Sequence, residues 1–84
     1  MVAGRMVSLT PKEFDLLYTL ALAPNRVLPT EMLLNQVWGA EYAGQPETLY
    51  VHIRWLREKI EEDPEHPRRI LTVRGVGYKL VPQG

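Results

Sequence analysis

The stretch from Pro46 to Ile60 leaves this chain little conformational freedom. Leu49, Ile53, Leu56 and Ile60 recur at the spacing that stacks side chains along one side of a helix. Val51 and Glu58 lie almost opposite them, flanked by Glu47 and Arg54 on one side and by Thr48 and Trp55 on the other. Pro46 suits a first helical turn, and Glu61, Glu62, Asp63 and Pro64 end the pattern. The greasy side of this helix has to be covered by the rest of the chain. Its charged and aromatic side has to face something else.

The cover comes from two earlier helices and a late hairpin. Thr10, Pro11 and Glu13 form a capping-box signature, and Leu9 and Phe14 sit at the two positions of a hydrophobic staple. The helix they open runs through Leu16, Leu17, Leu20 and Ala21 and stops before Pro24-Asn25. It is apolar around more than half its circumference, so it needs partners on two sides. Residues Arg5 to Leu9 offer only a short N-terminal strand remnant, so Phe14, Leu16 and Leu20 are expected to be partly uncovered. Val27 and Leu28 read as an extended bridge. Pro29-Thr30 opens a second helix, with Met32, Leu33, Leu34, Val37 and Trp38 inward and Gly39 as its stop. Ala40 to Gln45 reads as a loop. Ile70 to Arg74 and Tyr78 to Val81 read as strands joined across Gly75-Val76-Gly77. The expected fold class is α+β: three helices, a C-terminal β-hairpin and the strand remnant, in one domain over residues 1–84.

Eighty-four residues hold one modest core. Ten acidic and ten basic residues cancel, which weighs against a polyanionic partner unless the charges are segregated on the surface. Cysteine is absent, excluding disulfides, thiolate metal sites and a cysteine nucleophile. No apolar run approaches the ~20 residues of a membrane span, and no leader pattern is seen, so a soluble protein of a reducing compartment is expected. Catalysis is not expected either. Ser8 is the lone serine, and His52 and His66 lack a motif that would make them a catalytic or metal pair. The acidic run Glu61, Glu62, Asp63 and Glu65 lacks the alternating spacing of a calcium loop. No metal, cofactor or small-molecule substrate is anticipated.

The outward side of the third helix has the chemistry of a duplex groove. Val51 suits a thymine methyl, and Arg54 could span guanine O6 and N7 with two hydrogen bonds. Arg57 lies nearer the core edge, where it would meet phosphate, and His52 and Lys59 could do so on the opposite flank. The same arginines form i,i+4 pairs, Arg54 with Glu58 and Arg57 with Glu61, of the kind that merely solubilise a helix. Trp55 tips the balance, because an indole among charges calls for a partner, nucleic acid or protein. Glu47 and Glu58 oppose phosphate. Arg74 stands at the mouth of the turn, where a guanidinium could enter a minor groove. Gly75 and Gly77 clear side chains from the backbone there.

Taken in order, Leu9 to Leu17, Val37-Trp38-Gly39, Val51 to Lys59 and Thr72 to Tyr78 resemble the winged-helix effector domain of OmpR/PhoB-type bacterial response regulators. The resemblance covers Leu9 to Leu80. It implies a winged helix-turn-helix that binds double-stranded DNA in transcription regulation, with the third helix in the major groove and the hairpin wing in the minor groove. It places Val51, Arg54 and Trp55 against bases, Trp38, His52, Arg57 and Thr72 against phosphate or sugar, and Arg74 in the wing contact. It assigns the loop from Gly39 to Gln45, with Glu41 and Tyr42, to RNA polymerase. It also pairs two copies head-to-tail on direct repeats, in the cytoplasm. On this reading a phospho-accepting receiver domain and most of an N-terminal sheet lie outside the chain. Family members often carry a basic residue at the positions of Glu47 and Trp55, so this reading face holds less positive charge than is usual. The alternative is a winged helix that binds protein through Trp55, Tyr50 and Tyr42.

Overall fold

The computed structural model describes residues 8–42 and 45–82. The strand expected from Arg5 therefore lies outside the described residues as far as Val7, and Ser8 and Leu9 form none. Helix α1 spans Pro11–Ala21 and begins as its sequence dictates. Thr10 Oγ1 accepts from the Glu13 N–H at 3.3 Å, and the Glu13 carboxylate accepts from the Thr10 N–H at 2.9 Å. Such a reciprocal cap stabilises a helix by about 1 kcal/mol. After α1 the chain turns through Asn25, whose φ of +65° is in the left-handed region that asparagine tolerates.

Strand β1, Leu28–Pro29, then leads directly into α2, Thr30–Val37. Gly39, at φ +115°, ends α2 by donating its N–H to the Leu34 carbonyl at 3.1 Å. A single 3₁₀ turn, Ala40–Tyr42, precedes α3, Pro46–Ile60. Strands β2, Ile70–Val73, and β3, Gly77–Leu80, close the chain. The sheet has three antiparallel strands in the order β1-β3-β2, with Leu28 opposite Tyr78 and Thr72 opposite Tyr78 on the other side. The bridge expected at Val27-Leu28 is thus a strand, shifted one residue onward. Pro29 is tolerated there because β1 is an edge. This is a winged helix-turn-helix: α2 and α3 form the paired helices, and the β2–β3 hairpin is the wing.

Leu16, Leu20, Leu33, Leu34, Leu49, Ile53 and Leu56 are sealed between the helices, and Ile70, Tyr78 and Leu80 close the core from the sheet. Two expectations are corrected here. Leu16 and Leu20 are fully buried, because their stripe of α1 faces α2 and α3 and needs no N-terminal sheet. Of the three residues expected to be uncovered, only Phe14 is, at 56% exposure, stacked on Tyr18 with ring centroids 6.0 Å apart. Met32 points outward rather than into the core.

One buried ion pair ties α1 to α3. The Glu13 carboxylate is inaccessible and accepts from Lys59 Nζ at 2.5 Å. Burial alone would raise the carboxyl pKa, but the bonds from Lys59 and from the Thr10 N–H together outweigh it and hold the pKa below the usual value. A depressed folded-state pKa contributes stability that is present above the unfolded carboxylate pKa and lost as pH falls through the folded one. Stability should therefore fall on acidification from about pH 4.5 downward, and Glu13→Gln should flatten that fall while lowering stability at neutral pH. Urea midpoints measured across that range check it, and an unchanged acid slope would refute it.

The glycines of the wing give a second expectation. A Cβ on Gly77 would lie 2.0 Å from the Leu28 carbonyl oxygen, backbone against backbone, whereas one on Gly75 would meet nothing and suffer only from the φ of +78°. Gly77→Ala should cost about 2–4 kcal/mol by prying β1 from β3, and Gly75→Ala roughly 1 kcal/mol. Thermal unfolding of the two variants should rank them in that order.

Candidate nucleic-acid interface

The four apolar residues that define the inward side of α3 are buried, which turns the opposite side to solvent. Val51 is 40% exposed and Trp55 43% exposed, one helical turn apart. The side chain of Arg54 is 79% exposed and lies 3.5 Å from the Glu58 carboxylate. An exposed pair of this kind contributes only a few tenths of a kcal/mol, so Arg54 can leave Glu58 for a better acceptor at little cost. Glu47 is exposed as well.

Arg57 behaves differently. Sequence spacing assigns it to phosphate and pairs it with Glu61; the structure turns its guanidinium inward against the wing. Nε and Nη2 both donate to the Ile70 carbonyl, at 3.1 and 2.8 Å, and Nη2 also donates to Thr72 Oγ1 at 2.8 Å. The guanidinium carbon stands 5.9 Å from the centre of the Tyr78 ring. Burial draws the Arg57 pKa below its free value, opposed by the charges of Tyr78 and Glu61. The Thr72 hydroxyl, expected at phosphate, accepts from Arg57 and lies on an exposed residue.

Glu61 reinforces the same junction, and sequence reasoning places it in a solvated acidic cluster. Its residue is 2% exposed, and its carboxylate accepts from the backbone N–H groups of Arg68, Arg69 and Ile70 at 2.8–3.2 Å. Arg69 Nη1 in turn donates to the Ile60 carbonyl at the end of α3. Together these bonds fasten the last turn of α3 to the first residue of β2. The only signal in the sequence was position: Glu61 immediately follows the last buried residue of the helix.

At the wing tip Arg74 is exposed, and among the described residues no carboxylate pairs with it. Gly75 leaves open space beside it. Gly77 is buried against β1, so its missing side chain serves sheet closure rather than access to a ligand, which corrects the reading from sequence. Between the wing and α3 runs an open groove of about 460 Å³ whose lining includes Thr30, Tyr50, Thr72 and Val76.

On the other flank of α3, His52 is half-buried between two indoles. Its ring centroid lies 4.7 Å from that of Trp38 and 5.0 Å from that of Trp55, edge-on to both. Its Nδ1 lies 2.8 Å from the Thr48 carbonyl oxygen. Trp38 is half-buried against the core at the end of α2. Glu41 is exposed on the 3₁₀ turn, close over Gly39, and Tyr42 closes that turn with its side chain outside the described part. Arg54, Trp55 and Val51 thus share one exposed face with the wing beside them, while Trp38 and His52 border it. Among the described residues no group of His, Asp or Glu side chains converges as a metal cage.

Residues 4–80 match the family described as transcriptional regulatory protein, C terminal, and the chain belongs to that family. Among its relatives, the DNA-binding response regulator MtrA of Mycolicibacterium smegmatis is 51% identical over 79 residues, which make up 94% of this chain and 35% of that protein. The chain therefore spans about a third of the length of such relatives. The DNA-binding domain of Klebsiella pneumoniae RstA, solved in complex with its RstA box, superposes with a TM-score of 0.85 at 34% identity, over 98% of this chain and 81% of that one. The Thermotoga maritima OmpR/PhoB homologue DrrB gives 0.82 at 37% identity, over 93% of this chain and 35% of that one.

The Arg57 junction makes a direct prediction. Arg57→Met keeps the apolar stem but removes three hydrogen bonds, and should lower stability by about 1–3 kcal/mol. Amide exchange in β2 should accelerate more than exchange in α1. Uniform acceleration across the chain would show that Arg57 does not hold the wing in particular.

Proposed function

We propose that this chain is the DNA-binding effector portion of a two-component transcription regulator acting in the cytoplasm. The observation that carries the reading is an exposed Val51–Arg54–Trp55 face beside Arg74, which no carboxylate pairs among the described residues, on a wing fixed to the same helix. A helix of this width fits the major groove, where Arg54 reads guanine and Val51 meets a thymine methyl. Arg74 then reaches the neighbouring minor groove. Thr72 and the threonine and tyrosine hydroxyls of the groove between wing and α3 supply donors of the kind that contact phosphate. The complex of RstA with its box, seen for a relative of the same fold, supports DNA as the partner.

Zero net charge is compatible with it. Glu13 and Glu61 spend their charge inside the molecule, and Glu58 is paired with Arg54 only loosely. By family resemblance the 3₁₀ turn with Glu41 and Tyr42 is offered to RNA polymerase, and two copies occupy direct-repeat half-sites. A receiver domain and further N-terminal sheet belong to the longer regulator in this reading.

The test is duplex binding across a salt series, using a duplex selected from a random pool. Affinity should fall steeply, with a log–log slope of about −0.9 per neutralised phosphate. Arg54→Ala should cost about 1–3 kcal/mol and relax preference at one base pair, while Arg74→Ala should weaken binding and make the salt slope shallower by roughly one contact. A flat salt response, or no duplex bound at low salt, would point instead to a protein partner for Trp55.

A further inference from the structure

The edge-on series Trp38–His52–Trp55 links the end of α2 to the outer side of α3. The family resemblance implies a phosphate contact for His52, but the structure commits one ring nitrogen and both ring edges to neighbours within the molecule. A carbonyl oxygen only accepts, so the Nδ1 facing Thr48 O at 2.8 Å carries the ring proton. Nδ1 is thus used within α3, and only Nε2 is left to meet a partner. Its ring is instead used for packing: it stands between the two indoles at 4.7 and 5.0 Å, with interplanar angles of 70° and 62°. Edge-to-face contacts at these separations are the favourable geometry for aromatic pairs.

The series also has a fixed end and a free end. Trp38 is packed against the core, and its backbone N–H donates to the Leu34 carbonyl at 2.8 Å, so it moves with α2. Trp55 is the exposed end, one turn beyond Val51 on the outer side of α3. Val51 and Trp55 together make an apolar strip of about one helical turn on a face otherwise occupied by Arg54, Glu47 and Glu58. In a major groove the apolar features at base edges are thymine methyls. An exposed indole with free torsions would have to be ordered at the moment of contact; one braced from behind is ordered beforehand.

We propose that His52 is a positioning residue, a spacer ring braced by Trp38 that holds the Trp55 indole ready to read thymine methyl edges. This inference rests on the proposed DNA-binding function. It shifts part of the sequence preference from charged to apolar readout. Trp55 contacts the base, and His52 acts only through Trp55.

Two substitutions separate bracing from phosphate donation. His52→Phe keeps a ring between the indoles and removes every donor, whereas His52→Gln keeps a donor and removes the ring. Affinities of the wild type and both variants are measured for a duplex selected from a random pool and for its base-scrambled counterpart. His52→Phe should retain the selected-to-scrambled ratio within about twofold. His52→Gln should lose about three- to tenfold of that ratio, the scale of one aromatic contact, with scrambled-duplex affinity unchanged. A Phe variant that discriminates no better than the Gln variant overturns the role of His52 while leaving the DNA-binding reading standing. Failure of the wild type to bind any duplex removes both.

A measurement on the free chain guards against a variant that does not fold. The Trp55 indole N–H resonance should shift in Trp38→Leu, since loss of the inner brace frees the His52 ring. An unmoved resonance shows that the three rings are not coupled, and overturns the brace directly.

Discussion

The grip of α3 on the first strand of the wing governs the rest of this molecule. Arg57 and Glu61 are one turn apart, and they work in opposite senses on adjacent stretches of backbone. The guanidinium donates to the Ile70 carbonyl and the Thr72 hydroxyl, and the carboxylate accepts from the N–H groups of Arg68, Arg69 and Ile70. A residue gripped at both its carbonyl and its N–H has little freedom left, and Ile70 is that residue. Because Ile70 pairs with Leu80 and Thr72 with Tyr78, the grip is passed on to β3 and through it to β1. The orientation of the wing relative to the exposed face of α3 is thereby set by bonds within the chain.

The same bonds explain how a chain without net charge can hold charges in reserve for a polyanion. Opposite charges cancel in a sum over the sequence, but the folded molecule sorts them by what they touch. Glu13 is enclosed with Lys59, and Glu61 is enclosed among backbone N–H groups. Asp63 is engaged with His66 at 2.9 Å. Arg57 and Arg69 are bound to carbonyls, whereas Arg54 on α3 and Arg74 on the wing stay accessible, as do Arg26 and Arg68 elsewhere. Two cations on adjoining elements are enough to direct a duplex, although fewer than a strongly basic domain would bring. The deficit makes an apolar contribution from Val51 and Trp55 correspondingly more important.

What the sequence revealed and what it concealed divide along physical lines. The helices were legible because their signals are local. Thr10, Pro11 and Glu13 act within one turn, Pro46 fixes its own φ, and the burial of Leu49, Ile53, Leu56 and Ile60 follows from spacing alone. The exposure of Arg54 and Trp55 followed from the same spacing. The concealed features all depend on long-range partners. A two-residue strand such as Leu28–Pro29 is too short to show any alternation and exists only because Gly77 lets its backbone approach. Arg57 looked like a surface cation until Ile70 was brought beside it. Glu61 looked like part of a solvated cluster until the chain from Pro64 to Arg69 folded back over it. Leu16 and Leu20 looked short of cover because the depth of the groove between α2 and α3 cannot be read from α1.

These long-range contacts divide the labour along α3. Its C-terminal half is held to the wing by Arg57 and Glu61, and its middle is braced toward α2 through His52 and Trp38. Arg54 and Trp55 lie between those two supports and Val51 lies just before them, and all three face outward. A surface so held loses little conformational freedom when it meets a partner, so more of its contact energy is available for binding. Rigidity also sharpens discrimination, because a wrong partner cannot be accommodated by a shift of the helix or the wing. Flexible, readily repacked surfaces suit promiscuous binding; a helix held at its middle and its C-terminal end suits a target of repeating geometry. Regular groove spacing is the property a duplex offers and most protein surfaces do not, and on that ground the construction of α3 favours nucleic acid as its partner.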